Sequence, residues 1–228
     1  MAASSQPAVR IGSLTLGRKS SHVARLVLIA LLVWIVYIAP PWRYWPLWLA
    51  ATGWIAFSLY WSAAAKNSAA AKSSESDRSR GVHEVITTAG QLLLFIPIPG
   101  LRQNFIPPSL AWAVIGLVLE ALSIALAVWA RRHLSLNWSA RVQIKVDHQL
   151  IRSGPYKLLR HPIYTAILGM SVGTALVSGH VHALVGTALV LVAYFRKIRI
   201  EESILREAFG PQYDSYRRST LGLMPGLS

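Results

Sequence analysis

Two polar segments of the chain carry the residues that could do chemistry. In the first, His161 and Tyr164 stand three positions apart; in the second, Glu201 and Glu202 are adjacent and follow Arg199. An arginine can orient a carboxylate through two parallel hydrogen bonds, and a histidine or tyrosine can accept a proton from a thiol, amine or hydroxyl. A carboxylate set among apolar helix positions needs a cationic or hydrogen-bonding partner. These residue types indicate a site for a small polar group.

Each of these residues also has a simpler interpretation. His161 could only position the start of a helix, since a proline follows it. The paired glutamates could form a solvated helix face with Arg199 and Arg206 as neighbours about one turn away. Arg199 could be one of the many basic residues that set membrane topology.

Apolar runs flank both segments and must position them. Crossing a bilayer core takes about 20 apolar residues. The composition fits such a protein, with 54% hydrophobic and only 14% charged residues. We expect spans at residues 23–39, 42–65, 85–98 and 110–130, followed by two shorter runs at 163–178 and 181–195. The sequence therefore predicts an all-α, polytopic transmembrane protein with five to six membrane helices.

The basic residues test this layout independently. The net charge is +14, yet only Arg43 and Arg102, of 23 lysines and arginines, fall on one side of the predicted spans. The positive-inside rule then places both termini and both polar segments in the cytoplasm. Because topology accounts for the charge, we expect no nucleic-acid partner. The absence of cysteine excludes thiolate sites, and the isolated His180 and His182 do not suggest a metal.

The predicted organisation has three parts. Residues 1–22 form a polar tail that is disordered or lies on the surface. Residues 23–130 hold four membrane helices and a flexible loop at 62–81, which is rich in alanine, serine and lysine. Residues 131–228 form the functional region, in which a helical hairpin at 162–197 brings the two polar segments together.

The two segments also carry a resemblance. HQLIRSGPYKLLRHPIY at 148–164 and RIEESILREAFGPQYDSY at 199–216 together resemble the isoprenylcysteine carboxyl methyltransferase family and, more distantly, membrane phospholipid methyltransferases. The resemblance implies an S-adenosylmethionine-dependent enzyme with a cytoplasmic, carboxy-terminal cofactor region. Its acceptor would be a lipophilic or lipidated molecule that enters from the membrane lipids. Ala166 departs from the family pattern, which usually has glycine there.

The resemblance further implies a role for each site residue. His161, Tyr164 and Arg199 would be catalytic, with Arg199 near the reacting carboxylate. A carboxylate acceptor is already ionised at neutral pH, so methyl transfer to it would need alignment and no base. The cofactor-binding residues implied are His148, Gln149, Leu150, Gly154, Tyr156, His161, Tyr164, Glu201 and Glu202.

Two other functions stay open at this stage. One is a sterol-reductase-like membrane oxidoreductase that uses NADPH, although its usual extra spans are absent. The other is a non-enzymatic membrane scaffold or transporter. Glu120 lies near the middle of the fourth predicted span, where ionisable groups are costly and often functional. We expect it to be protonated, to pair with Gln91 of the third span, or to contact a substrate head group, with structural packing favoured.

Overall fold

Six helices make up most of the described chain. The computed structural model describes residues 41–64, 71–74, 76–134, 143–145 and 150–223, with side chains at 45–64, 76–134 and 150–223. The predicted tail at 1–22 and first span at 23–39 lie outside these ranges. The helices are α1 Pro41–Ala64, α2 Asp77–Phe95, α3 Leu110–Leu134, α4 Pro162–Ser178, α5 Val181–Phe209 and α6 Pro211–Ser219, with a 3-10 turn at Gly154–Lys157.

A short pair of strands departs from the all-α expectation. β1 Ala71–Ser74 pairs antiparallel with β2 Gln143–Lys145, with Ser73 opposite Ile144. β1 lies in the segment at 62–81 that we expected to be a flexible loop. That segment has no apolar face to bury as a helix, and pairing with β2 gives its backbone groups hydrogen-bond partners. The helical class of the protein is confirmed, and this ribbon is added to it.

Proline and glycine set the ends of the helices near the polar segments. Pro162 begins α4, where its missing N–H would have no partner in the helix. Gly179 ends α4 with φ at 69°, a left-handed conformation that suits glycine. Gly210, with φ at 50°, separates α5 from α6, which begins at Pro211. The same residues therefore produce a hairpin of α4 and α5 and a sharp turn after it.

The hairpin helices each pack against a different neighbour. α4 packs chiefly against α3, and α5 packs chiefly against α2. Glycines meet at both crossings: a Cβ built at Gly173 would lie 2.6 Å from the carbonyl oxygen of Gly116, and one at Gly90 would lie 2.8 Å from that of Gly186. Small residues of this kind let membrane helices approach until their backbones touch.

Two described helices are long and apolar enough to cross a membrane. They are α3, with 25 residues, and α5, with 29 residues, which contain 18-residue windows of mean hydropathy 2.2 and 1.5. The outer face of α3 exposes Leu110, Val118 and Leu122, an apolar surface that lipid would cover. α1 and α2 are helical where we expected the second and third spans, and α4 is a shorter apolar helix. These features indicate an integral membrane protein.

A buried polar chain links three helices within this bundle. Nε1 of Trp54 in α1 donates to Oγ1 of Thr174 in α4 at 2.9 Å. The Thr174 hydroxyl donates to Oε2 of Glu120 in α3 at 3.0 Å. Glu120 is only 2% exposed. The polar partner of Glu120 is therefore Thr174, and the expected pairing with Gln91 is wrong, because α3 packs against α4 and not against the helix that carries Gln91.

The far end of the hairpin is tied to the loop between α2 and α3. The N–H groups of Val181 and His182 donate to the carbonyls of Gln103 and Leu101, at 2.9 and 3.0 Å. His180 stacks on His182 at this end, with ring centroids 5.4 Å apart. α4, which has 17 residues and rises about 1.5 Å per residue, separates these histidines from the residues at its amino terminus.

Candidate functional site

The predicted residues of the two polar segments meet where α4 begins and α5 extends beyond its apolar part. His161 immediately precedes α4 and Tyr164 lies in its first turn, while Glu201 and Glu202 lie near the end of α5. The Tyr164 hydroxyl donates to Oε2 of Glu201 at 2.7 Å. Nε2 of His161 lies 3.2 Å from Oε1 of Glu202, and its Nδ1 lies 3.7 Å from Oε2 of Glu201. The hairpin thus brings all four side chains into one network.

An aromatic stack supports the network from the α2 side. The rings of His161 and Tyr164 are nearly parallel, 6° apart in plane, with centroids separated by 5.5 Å. Tyr164 in turn contacts Tyr194 of α5 at 4.9 Å, and Tyr194 meets His83 of α2 edge to face at 5.0 Å. These contacts fix the orientation of His161 and Tyr164. Tyr194 and His83 were not predicted as neighbours of the site.

Arg160 is the member of the network that sequence reasoning missed. Its Nε donates to Oε1 of Glu202 at 2.9 Å, and its side chain is 3% exposed. Glu202 lies beyond the apolar part of α5, which ends at Phe195. Burial alone would raise the pKa of Glu202, but the hydrogen bonds and charges of His161 and Arg160 together lower it to about 2. The RHP sequence contained the signal, but Arg160 was counted as a topological charge.

The 3-10 turn at Gly154–Lys157, just before Arg160, packs against the ends of α3 and α6. Gly154 has φ at +58°, and a Cβ there would collide with the ring of His133 at the end of α3. Glycine is therefore required on both backbone and steric grounds. Tyr156 is buried, and its carbonyl accepts a hydrogen bond from the Tyr216 hydroxyl at 2.7 Å. Burial, reinforced by the nearby Glu201 carboxylate, raises the pKa of Tyr156 well above its usual range.

Other predicted residues stand apart from the network. Arg199 is exposed and makes no hydrogen bond or ion pair with a described residue. Two positions along a helix rotate a side chain by about 200°, so Arg199 and Glu201 lie on nearly opposite faces of α5. Leu150 is half-buried, and Ala166 is 1% exposed in α4. His148 and Gln149 lie outside the described residues.

The network has unequal carboxylates. Oε1 of Glu202 accepts from Arg160 and lies next to His161, whereas the hydrogen bond that Glu201 accepts within the described ranges comes from the neutral Tyr164 hydroxyl. The Glu201 side chain is 29% exposed and that of Glu202 is 15% exposed. A partly exposed carboxylate beside the stacked His161 and Tyr164 rings can bind a cationic group at its outer oxygen.

Comparisons with known proteins match the part of the chain that holds this network. A family model for the isoprenylcysteine carboxyl methyltransferase (ICMT) family matches residues 114–207. A probable protein-S-isoprenylcysteine O-methyltransferase of Oryza sativa subsp. indica is 32% identical over 118 residues, which are 51% of this chain and 59% of that protein. Protein-S-isoprenylcysteine O-methyltransferase A of Arabidopsis thaliana is 30% identical over 138 residues, which are 59% of this chain and 66% of that protein.

A bacterial relative carries a different name. The cobalt-zinc-cadmium resistance protein CzcN of Cupriavidus metallidurans is 36% identical over 114 residues, which are 49% of this chain and 50% of that protein. The chain thus spans 59% of the rice relative and half of the bacterial one. His161, Tyr164, Glu201 and Glu202 all lie within the matched range. Residues 114–207 of this chain are therefore similar to the isoprenylcysteine carboxyl methyltransferase family.

Proposed function

We propose that the protein is an integral membrane methyltransferase that uses S-adenosylmethionine to methylate a lipophilic acceptor at the cytoplasmic face. One observation carries the proposal. The segment that matches the methyltransferase family is the one that gathers His161, Tyr164, Glu201 and Glu202 into a single network. The named relatives in plants are methyltransferases, which favours this function over the reductase and scaffold alternatives. The distribution of basic residues supports the cytoplasmic location.

The residues present suit such a cofactor. S-adenosylmethionine supplies a methyl group on a positively charged sulfur, and it also carries a cationic amino group. The glutamate pair offers negative charge for that amino group, and Glu201 is partly exposed. The turn at Gly154 and Tyr156 would line the adenosine side, together with His148, Gln149 and Leu150. His161 and Tyr164 would hold the glutamates in place through their hydrogen bonds.

The acceptor we propose is a carboxylate on a prenylated thiol compound, the chemistry that the plant relatives' names describe. Such a carboxylate is ionised at neutral pH, so the chain needs to orient it and need not deprotonate it. Arg199 is an exposed guanidinium about one turn before Glu202 and could hold both carboxylate oxygens. With a thiol, amine or hydroxyl acceptor, His161 or Tyr164 would have to accept a proton.

A binding measurement tests the proposal first. The full chain, purified in detergent, should be stabilised against heat by S-adenosylmethionine and by its demethylated product, because a ligand of the folded state raises the unfolding midpoint. NADPH at the same concentration should give no shift. Stabilisation by NADPH alone would support the reductase alternative, and no shift with any of the three would contradict an enzymatic function at this site.

A transfer assay then tests the acceptor. Cofactor with a labelled methyl group should modify a small prenyl thiol acid, and the matched compound whose carboxylate is already esterified should remain unlabelled. Because the metal-resistance relative matches over a comparable range, a membrane lipid extract is included as a second acceptor pool. Label in lipid, with none in the prenyl acid, would contradict the carboxylate acceptor and retain the methyltransferase.

Arg199→Ala tests the role of the exposed arginine. We expect the cofactor product to bind as in the wild type while turnover of the carboxylate acceptor falls about tenfold or more, since a hydrogen bond to a charged group contributes about 1.5–3 kcal/mol. Arg199→Lys should restore turnover in part, because it keeps the charge but not the two-pronged geometry. Arg206→Ala, in the same helix and in an exposed ion pair with Asp214, is the control. Unchanged turnover in Arg199→Ala would remove this residue from the site.

A further inference from the structure

Arg160 connects parts of the chain that are distant in sequence. Its Nε donates to Glu202 of α5 at 2.9 Å, and one terminal nitrogen donates to the carbonyl oxygens of Arg217 and Thr220, at 2.8 and 2.5 Å. These carbonyls belong to the carboxyl end of α6 and the residue after it, where a cation is favourable. A guanidinium with 3% side-chain exposure and three such acceptors holds a fixed position.

The backbone around Arg160 forms a second set of links to the same region. We call residues 211–223 the strap. The N–H of Arg160 donates to Leu221 O at 2.8 Å, and the N–H of Leu221 donates to Leu158 O at 3.0 Å. The Thr165 hydroxyl donates to Leu223 O at 2.6 Å. The strap therefore lies along the start of α4, and Arg160 joins it to Glu202.

This arrangement gives the two adjacent glutamates different partners. Oε1 of Glu202 is shared by Arg160 and His161, and its Oε2 faces Arg217 Nε at 3.6 Å. Glu201 uses Oε2 for the Tyr164 hydroxyl, and its other oxygen makes no hydrogen bond with any residue in the described ranges. Glu202 is thus compensated by cations of the protein, and Glu201 keeps one oxygen for a ligand.

We propose that Arg160 is a positioning residue: it commits Glu202 to the strap, so that Glu201 is the carboxylate that receives the amino group of the methyl donor. This inference rests on the proposed function and assigns different tasks to two adjacent, chemically identical side chains. The ammonium group of Lys197, one turn before Glu201, lies 5.6 Å from the Tyr164 ring and is a further cation on this side of the network.

A ligand that lacks the amino group distinguishes the roles of the two glutamates. The probes are S-adenosylhomocysteine and its deaminated analogue, and the measurement is the ratio of their Kd values for the detergent-purified full chain. Wild type should prefer the amino compound by about tenfold or more, the range of a charge-assisted hydrogen bond. Glu201→Gln should bring the ratio close to one. Glu202→Gln should keep the preference even if both Kd values rise.

The Arg160 variants test whether it acts through Glu202. Arg160→Gln should weaken binding of S-adenosylhomocysteine about tenfold and lower the amino-group ratio, because Glu202 and the strap lose the link that fixes the geometry around Glu201. Arg160→Lys keeps the charge without the fork and should restore part of the ratio. Arg206→Gln removes an exposed arginine paired with Asp214 and should leave the ratio within about twofold.

The possible results separate this inference from the proposed function. If wild type binds neither adenosyl compound, the proposed function fails. If wild type binds with the expected ratio, but Glu202→Gln removes the ratio while Glu201→Gln keeps it, the inference fails and the proposed function stands. Equal loss in both glutamate variants also overturns the inference. If Arg160→Gln does not fold, the two glutamate variants and Arg160→Lys still decide the question.

Discussion

The crossing of α2 and α5 at Gly90 and Gly186 gives a prediction whose size follows from geometry. A methyl group at position 90 would lie 2.8 Å from the carbonyl oxygen of Gly186 and 2.8 Å from Cγ2 of Val190. Favourable contacts between carbon atoms lie at about 3.5–4.0 Å. The obstacle at Gly186 is backbone, which cannot rotate away as a side chain can. Gly90→Ala therefore requires the two helices to move apart.

The expected cost has two opposing parts. Overpacking of this kind destabilises by about 1–3 kcal/mol, whereas alanine in place of glycine gains up to about 1 kcal/mol in helix propensity. Gly81 lies in the same helix, and a Cβ built there meets no atom within 4 Å. Gly81→Ala thus measures the propensity gain alone. The free energy of unfolding of Gly90→Ala should fall below that of Gly81→Ala by about 1–3 kcal/mol or more.

Unfolding of both variants and the wild type can be followed by circular dichroism during titration with a denaturing detergent. The order expected is Gly81→Ala at or above the wild type and Gly90→Ala below it. Gly186→Ala offers a check from the other helix, because its Cβ would lie 2.6 Å from the Gly90 carbonyl oxygen. A Gly90→Ala protein as stable as Gly81→Ala would refute the close backbone contact.

Three more perturbations have defined outcomes. The pKa of Glu202 is lowered from 4.5 to about 2, so its ionised form stabilises the fold above pH 4.5. This stabilisation is at most about 3 kcal/mol and is lost as the pH falls from 4.5 to about 2. Thermal midpoints measured on acidification should therefore fall more steeply for wild type than for Glu202→Gln, and parallel curves would contradict the ion pairing. Glu120→Gln keeps an acceptor for Thr174, so its free energy of unfolding should lie within about 1.5 kcal/mol of the wild-type value. Glu120→Ala adds a cavity and should lower the free energy of unfolding by about 2–4 kcal/mol in the detergent titration. Equal losses in the two variants would argue against the hydrogen bond between Thr174 and Glu120. Tyr216→Phe removes the donor to the Tyr156 carbonyl and should cost about 1 kcal/mol, and a stabilised variant would show that this bond is not formed.

The helices followed from local signals in the sequence, and the strands did not. The helix ends at Pro162, Gly179 and Gly210 are marked in the sequence itself, because each of these residues restricts or permits a backbone conformation. The strand at 71–74 reads Ala-Lys-Ser-Ser, which has neither alternation nor β-branched residues. Its partner lies some 70 positions away. Pairing of this kind depends on where the surrounding helices place the two segments.

Part of the candidate site was also within reach of the sequence. His161, Tyr164 and the glutamate pair were expected together because a hairpin returns its ends to the same side of the membrane. Arg160 was not, because charge counting cannot distinguish a buried guanidinium from one in solvent. Tyr194 sits within an apolar run, where an aromatic residue is typical of any core. Contacts between helices bring Arg160 and Tyr194 to the site, and such contacts produce no periodic pattern in the sequence.

The chain of hydrogen bonds from Trp54 through Thr174 to Glu120 has a consequence for how the bundle finds its arrangement. Apolar helix faces fit one another in several rotational settings of nearly equal energy. Turning α1 by a single residue, about 100°, would leave the indole N–H in hydrocarbon, with no water to take the place of Thr174. The hydrogen bonds thereby select one rotational arrangement of the three helices. Gly53 has no side chain to obstruct Glu120, so α1 and α3 can approach closely in that arrangement.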